Sequence, residues 1–170
     1  MSPETIQRNG TVWTTAALFT LIAAIYLGFL TKNYFWDGIA FAHAIESVPQ
    51  LQPSLVHPNH LIYNVVGYIF YRALQLVGFN LRAVTALQIL NSLCSAFTAV
   101  LLFRILKVTL RSIYYAITLT VLFAFSATWW KYSTDANAYI PSILFLLFSF
   151  YFALPRRKPN PILVALIYAL

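Results

Sequence analysis

Residues 11–30 of the chain read TVWTTAALFTLIAAIYLGFL. The segment carries no charged side chain, and a helix of this length, at about 1.5 Å of rise per residue, crosses the hydrocarbon layer of a membrane. A secretory signal peptide would have a shorter apolar core and a cleavage site of the Ala-x-Ala kind, and neither is evident here. The segment therefore predicts a retained membrane-spanning helix over about residues 12–30.

The composition of the whole chain agrees with a membrane protein. Hydrophobic residues make up 61% of the 170 residues, only 9% are charged, and the mean hydropathy is +0.74. A water-soluble domain built from these residues would have too little polar surface. The net charge of +7 comes from basic residues at the ends of apolar runs, so membrane topology explains it and no nucleic-acid partner is predicted.

Later apolar runs predict further spans. These spans lie at about 83–106, 112–130 and 138–154, and another starts at 162. Because the last run stops at Leu170, at about half the length that a span needs, we expect the chain to be the N-terminal part of a longer protein. Two basic clusters, one of Arg104, Lys107 and Arg111 and one of Arg156, Arg157 and Lys158, predict cytoplasmic connections. The intervening loop, 130–139, is then on the outer side.

Two amphipathic segments precede the second span. The first, at about 38–48, is predicted to be a helix at the membrane surface, with Phe41, Ile45 and Val48 on one side and His43 and Glu46 on the other. The second, at about 60–78, collects its polar residues on one helical face and its apolar residues on the opposite face. The pattern favours a helix lying in the interface plane. A spanning helix whose polar stripe faces its neighbours is the alternative.

Asp37 follows the first span directly and precedes a predicted helix. One interpretation makes it a helix N-cap, with its carboxylate accepting backbone N–H groups. The other makes it a functional carboxylate at the water–lipid boundary, acting as a base or a metal ligand. If the helix at 60–78 does not span, Asp37 and Asp135 emerge on the same outer side.

Two further groups of polar residues are candidates for contact with a substrate. His57 and His60, in the stretch VHPNH, can donate hydrogen bonds to a phosphate, although Asn59 can also serve simply as a helix cap. The outer loop WKYSTDANAY holds the second group, for which a solvated turn is the alternative. Its candidates are Lys131, Asp135, Asn137 and Tyr139.

Other sequence signals argue against soluble enzymes. The chain has no Gly-rich phosphate loop, no His-Glu-x-x-His motif and no serine nucleophile elbow. Gln88, Asn91, Ser92, Ser95 and Thr98 recur at helical spacing on the span at 83–106, and we expect them to hold helices together rather than to bind substrate.

Three stretches resemble the GT-C superfamily of membrane glycosyltransferases, particularly the bacterial relatives of protein O-mannosyltransferases and the aminoarabinose transferases of lipid A. FWDGIAF looks like the first acidic motif of that family, and HPNHLIYNVVGYIFYRAL is similar to the entrance to its second interfacial helix. FSATWWKYSTDANAY resembles the stretch that ends in the second acid. The resemblance implies an all-α, polytopic transmembrane helical bundle of GT-C type with interfacial helices in the first outer loop.

The resemblance also implies an activity, which is transfer of a sugar from a polyprenyl-phosphate carrier to a glycan, lipid or protein acceptor. The reaction would take place at the outer face of a bacterial inner or plasma membrane, with inversion, and Asp37 would act as the general base. Lys131, His57 or His60 would stabilise the departing phosphate, and Asp135, Asn137 and Tyr139 would contact substrate. The metal requirement stays open, because many members need no metal whereas the oligosaccharyltransferase branch uses a divalent ion.

Two other functions remain as alternatives to the transferase. One is a non-enzymatic polytopic membrane protein, either a transporter or an assembly factor, in which the first loop only connects helices. The other is a flippase or ligase for lipid-linked sugars. The side of the membrane on which Asp37 and Asp135 lie discriminates between the transferase and the first of these alternatives.

Overall fold

A computed structural model describes residues 3–56, 60, 62–153 and 161–169 of the chain. These residues confirm the predicted all-α class, since they form eight α-helices and one 3₁₀ turn at Pro53–Leu55. The helices are α1 (Pro3–Gly28), α2 (Trp36–Glu46), α3 (Tyr63–Leu76), α4 (Ala83–Leu110), α5 (Ile113–Ala124), α6 (Ala127–Ser133), α7 (Tyr139–Ala153) and α8 (Pro161–Ala169).

Two of the described helices are long and apolar enough to cross a membrane. They are α1, over Gly10–Gly28, and α4, over all of its 28 residues. A third span results if α5 and α6 are taken together, although their axes differ by 66°. The straight span predicted at 112–130 is therefore two helices, and the span predicted at 138–154 is a helix of only 15 residues.

The break between α5 and α6 is stabilised by two side chains. Ser126 has an extended backbone, and its hydroxyl donates a hydrogen bond of 2.9 Å to the carbonyl oxygen of Phe123. The buried hydroxyl of Tyr26, on α1, donates to the carbonyl oxygen of Ala124 at 2.6 Å. Carbonyl groups at the end of a helix need partners when they are buried, so these two hydroxyls compensate for the bonds that a continuous helix would have made.

Helices α1 and α4 run antiparallel through the centre of the bundle and so define its two ends. At one end the amide of Gln88 donates to the carbonyl oxygen of Thr31 at 2.8 Å. We call this the loop end, because it carries the segments 31–38 and 133–138. At the other end the Lys107 ammonium donates to the hydroxyl of Thr11. We call this the basic end, because Arg104 and Arg111 lie beside Lys107 there.

Helix α2 packs into the protein at the loop end. Phe41 and Ile45 are 6% and 0% exposed, and they form a core with Leu87 of α4 and with residues of α3. The prediction placed this apolar side towards the membrane surface. The structure differs because α3 and α4 offer an apolar surface that covers it, and burial against protein removes it from water just as lipid would.

Helix α3 turns its polar stripe inward. Asn64 and Tyr68 are buried against the bundle, whereas Ile69 and Leu76 on the opposite side are 56% and 88% exposed. At 14 residues the helix is about 21 Å long, less than the roughly 30 Å of the hydrocarbon layer. The polar stripe thus faces protein neighbours, which is the orientation that the spanning interpretation predicted. The length of the helix, however, is that of a helix lying at the membrane surface.

Glu46 joins the end of α2 to the start of α4. Its carboxylate pairs with the Arg82 guanidinium at 2.8 Å and also accepts the backbone N–H of Ala83 at 2.8 Å, so it caps α4 from another helix. The hydrogen bond from Arg82 lowers the pKa of Glu46 below its ordinary value of 4.5. A pKa that is lowered on folding means that this contact stabilises the protein above pH 4.5 and is lost as the pH falls through the folded-state value.

Three polar residues on α4 hold the loop that follows α6. Asn91 donates to the carbonyl oxygens of Asp135 and Asn137 at 2.7 and 2.8 Å. The amide of Gln88 and the hydroxyl of Ser92 donate to the carbonyl oxygens of Thr134 and Ser133. The predicted role of holding structural elements together is confirmed for these three residues, and the surface that they hold is the end of α6 and the irregular backbone that follows it.

The two remaining members of the α4 stripe behave differently. Thr98 donates to the carbonyl oxygen of Cys94 within its own helix. Ser95 is fully buried, and among the described residues its hydroxyl has no hydrogen-bond partner. Irregular backbone at the membrane boundary is stable only where the protein satisfies its carbonyl groups, so we expect Asn91 and Ser95 to differ sharply in their effect on stability.

We predict that Asn91→Ala lowers the free energy of unfolding by about 3 kcal/mol, because it leaves the buried carbonyl oxygen of Asn137 without its donor and removes the shorter of the two hydrogen bonds to the carbonyl oxygen of Asp135. Ser95→Ala, one helical turn away, removes a hydroxyl that bonds to nothing described and should change the free energy of unfolding by less than about 0.5 kcal/mol. Unfolding in detergent, followed by tryptophan fluorescence, measures both variants. Equal losses in the two variants would contradict the role given to Asn91.

Candidate functional site

The two acid-bearing segments of the sequence touch each other at the loop end. Gly38, in the first turn of α2, is buried against Ala136. A Cβ atom at position 38 would lie 2.3 Å from the carbonyl oxygen of Ala136 and 2.9 Å from its Cβ. Only glycine allows the two backbones to come this close. Asp37 and Asp135, each next to one of these two residues, therefore belong to one region of the protein.

The carboxylate of Asp135 links the same two segments by hydrogen bonds. It is fully buried, and its two oxygens accept the N–H of Phe35 at 3.1 Å and the N–H of Ala136 at 2.7 Å. Burial raises the pKa of Asp135, while the two backbone N–H groups and the Lys131 charge act in the opposite direction. The structure gives Asp135 a positioning role, since it fixes the residue that precedes α2.

Asn137 is also occupied by contacts within the protein. Its side-chain oxygen accepts the N–H groups of Tyr139 and Ile140 at the start of α7, at 3.2 and 3.3 Å. Its side-chain nitrogen donates to the carbonyl oxygen of Tyr132 at 2.7 Å. With both ends of the amide used and 2% of the residue exposed, Asn137 serves as a cap for α7. Asparagine just before a helix is itself a capping signal that the sequence contained.

Asp37 is arranged in the opposite way. It is exposed and lies one residue inside α2, whose N-cap is Phe35. Its carboxylate makes no hydrogen bond or ion pair with any residue that the structure describes, so the N-cap interpretation is not realised. A carboxylate in the first turn is favoured by the helix dipole by about 0.3–1 kcal/mol. Asp37 is thus held in place by its backbone while its side chain is available for chemistry.

A row of rings extends from the residue before α2, across α6, to the start of α7. Phe35 stacks on Tyr132 at 5.4 Å between ring centroids, Tyr132 meets Tyr139 edge-on at 5.8 Å, and Tyr139 meets His60 at 6.1 Å. The Lys131 ammonium lies 4.7 Å from the centre of the Phe35 ring, within cation–π range. Lys131 and Tyr139 are exposed, and His60 is half-buried.

The row brings together three of the predicted site residues, Lys131, His60 and Tyr139, on the surface that carries Asp37. The sequence analysis missed Phe35 and Tyr132, which join them. The sequence did contain a signal for these two rings, because Phe35 lies two positions from Asp37 and Tyr132 lies three positions from Asp135. His57 lies outside the described residues. Within the part of the chain that the structure describes, no cluster of three or more histidine, cysteine or acidic side chains is placed to hold a metal ion.

Comparison of the chain with models of protein families, with curated proteins and with solved structures finds no match in any of the three. The case for a function therefore depends on the residues of the loop end and on the motifs in the sequence.

We predict that Gly38→Ala moves α2 away from the loop around Ala136, because the added methyl group would lie 2.3 Å from a backbone carbonyl oxygen rather than from a flexible side chain. Overpacking of this kind costs about 1–3 kcal/mol. Gly28→Ala is the matched control, since a Cβ at that position would meet no atom within 4 Å. Thermal unfolding of both variants checks the prediction, and a Gly38→Ala protein as stable as the Gly28→Ala protein would disprove the close contact.

Proposed function

We propose that the loop end is the active site of a membrane glycosyltransferase that takes its sugar from a polyprenyl-phosphate carrier. The observation that carries this proposal is the contact between the two acid-bearing segments, in which Asp135 is buried as an anchor and Asp37 is exposed and pairs with no residue that the structure describes. A loop that merely connected helices would not need a fully buried carboxylate to fix the start of the next helix, because burying a charge is costly.

In the proposed reaction a hydroxyl group of the acceptor attacks the anomeric carbon of the sugar. A new carbon–oxygen bond forms as the bond between that carbon and the carrier phosphate breaks, and the bonding electron pair leaves on the phosphate oxygen. Asp37 accepts the hydroxyl proton, so the acceptor oxygen ends neutral. Attack from the face opposite to the phosphate inverts the configuration at the anomeric carbon.

The departing phosphate gains negative charge, and Lys131 is the cation best positioned to balance it. Its ammonium lies over the ring of Phe35, two residues from Asp37, and is exposed to solvent. His60 and Tyr139 lie further along the same row and offer polar hydrogens to phosphate or sugar oxygens. Such groups stabilise charge as it develops in the transition state. A contribution from His57 stays a prediction from the sequence.

The exposed side of α3 suits a substrate that carries a long lipid tail. Ile69, Leu76 and Val77 are 56%, 88% and 69% exposed, on a helix whose first residue, Tyr63, donates to Asn91 below the loop that carries Asp135. A short helix with one apolar side stabilises itself at the membrane boundary. The carrier tail can then remain in the lipid while its phosphate reaches the row of rings.

The side of the membrane follows from the basic end of the bundle. Arg104, Lys107 and Arg111 lie there, and positively charged connections are retained in the cytoplasm. The loop end is separated from it by roughly 30 Å, the axial rise of α4 between Gln88 and Lys107 at 1.5 Å per residue. We therefore assign the proposed reaction to the outer face.

The test is the substitution Asp37→Asn in the full-length protein. Sugar transfer is assayed in membranes, with polyprenyl-phosphate mannose and polyprenyl-phosphate aminoarabinose as donors. We expect sugar transfer to fall about 10²- to 10⁴-fold, the usual contribution of a general base. The thermal midpoint should stay close to that of the unmodified protein, because the carboxylate bonds to no described residue. Lys32→Gln, which also removes one exposed charge from this loop, should leave transfer unchanged. Full activity in the Asp37→Asn protein would remove Asp37 from the base role.

A further inference from the structure

The basic end of the bundle contains a cavity that the proposed reaction does not use. Its volume is about 680 Å³, and it opens between the start of α1 and the end of α4, beside Tyr151 of α7. Three of the described residues that line it are cations, Arg104, Lys107 and Arg111, and none is acidic. Its dimensions and charge suit an anion of the size of a phosphate ester.

The cations are arranged around this cavity in different ways. The Lys107 ammonium is tied to the hydroxyl of Thr11, and the Arg104 guanidinium lies 5.5 Å from the ring of Tyr151. Arg104 and Arg111 are exposed and, among the described residues, have no acidic partner. Arg111 has a left-handed backbone (φ 55°), which ends α4 and turns the chain at the wall of the cavity. Two arginines are therefore available to an incoming anion.

A second, apolar cavity lies beside the first. Its volume is about 360 Å³, it runs along α1 and α4, and it shares Thr11 and Arg104 with the basic cavity. Phe19 and Phe97 form part of its wall, with ring centroids 4.5 Å apart. The remaining lining residues, apart from Thr15, are apolar: Val12, Ala16 and Val100.

The two cavities together match a molecule with a charged head and a hydrocarbon chain. A free phosphate or nucleotide would use the basic cavity but would gain nothing from the apolar one. A phospholipid would use both, since its chain can pack along the groove against Phe97, which is 51% exposed. Basic pockets between helices at the cytoplasmic boundary bind anionic lipid headgroups.

We propose that this double cavity is a binding site for an anionic phospholipid, with the headgroup phosphate on Arg104 and Arg111 and one acyl chain in the groove between α1 and α4. The site lies at the opposite end of the bundle from Asp37, so it is distinct from the proposed donor site. A lipid bound here bridges α1 and α4, the two helices that are long enough to span the membrane on their own.

The test measures binding of short-chain lipids to the detergent-solubilised protein by the shift of its thermal midpoint. The probes are dihexanoyl phosphatidylglycerol, dihexanoyl phosphatidylcholine and inorganic phosphate. We expect phosphatidylglycerol to bind more tightly than the other two. In the double variant Arg104→Gln, Arg111→Gln its affinity should fall about 30-fold, as expected for the loss of two cation contacts. The control variant Lys32→Gln removes an exposed charge at the loop end. It should bind phosphatidylglycerol as tightly as the unmodified protein does.

A second pair of variants separates a lipid from a free anion. Ala16→Phe fills the groove and should weaken binding of phosphatidylglycerol while leaving binding of phosphate unchanged. Ala17→Phe, at an exposed neighbouring position that is not part of the groove lining, should bind the lipid normally. Unchanged lipid affinity in the arginine double variant would overturn the site. Inorganic phosphate that binds as tightly as the lipid, with no effect of Ala16→Phe, would overturn the assignment to a lipid.

Discussion

The carboxylate of Asp135 accepts the backbone N–H of Phe35 across 100 positions of sequence, inside a region closed to solvent. A buried charge is unfavourable unless its oxygens are bonded, and here both are. The arrangement in turn requires the loop around Asp135 to be held rigidly, which Asn91 on α4 does through two carbonyl groups. The position of α2, and with it that of Asp37, depends on this set of hydrogen bonds and on the close fit of Gly38 against Ala136.

Some of this structure could be predicted from the sequence, and the reasons for success and failure are physical. The apolar runs in α1 and α4 are long enough to cross the hydrocarbon layer, so their length and apolar character identified them. The polar residues Gln88, Asn91 and Ser92 were placed correctly as structural adhesive, because unpaired polar groups in an apolar helix need partners. The break at Ser126 was missed, since the run that contains it has neither glycine nor proline at that point.

The candidate site was predicted less completely than the fold. The two acids look equivalent as sequence, and only the tertiary contact with Phe35 distinguishes a buried anchor from an exposed carboxylate. The inward orientation of the α3 stripe depends in the same way on α4, which supplies the surface that covers Asn64 and Tyr68. Local sequence describes which face is polar, whereas the partner that covers the face is set by the rest of the chain.

The two ends of the bundle have contrasting chemistry, and the contrast suits a protein that works on amphipathic substrates. The loop end combines an exposed acid, a lysine and a row of rings beside the apolar side of α3. The basic end combines two available arginines with an apolar groove. The helices α1 and α4 connect the two ends of the bundle. The ends are separated by roughly 30 Å, which matches the thickness of the hydrocarbon layer. Each end thus places polar groups at a membrane boundary with apolar surface beside them.

The proposed reaction requires the two acid-bearing segments to lie together on the outer side of the membrane. The most direct measurement is labelling of single cysteines with an impermeant maleimide in intact cells, in a Cys94→Ala background that removes the one native thiol. Suitable positions are Trp36 and Tyr139, which are 79% and 51% exposed, with Arg111 at the basic end as the reference. We expect Trp36→Cys and Tyr139→Cys to be labelled in intact cells, and Arg111→Cys only after permeabilisation. Labelling of the first two from opposite sides would contradict this arrangement.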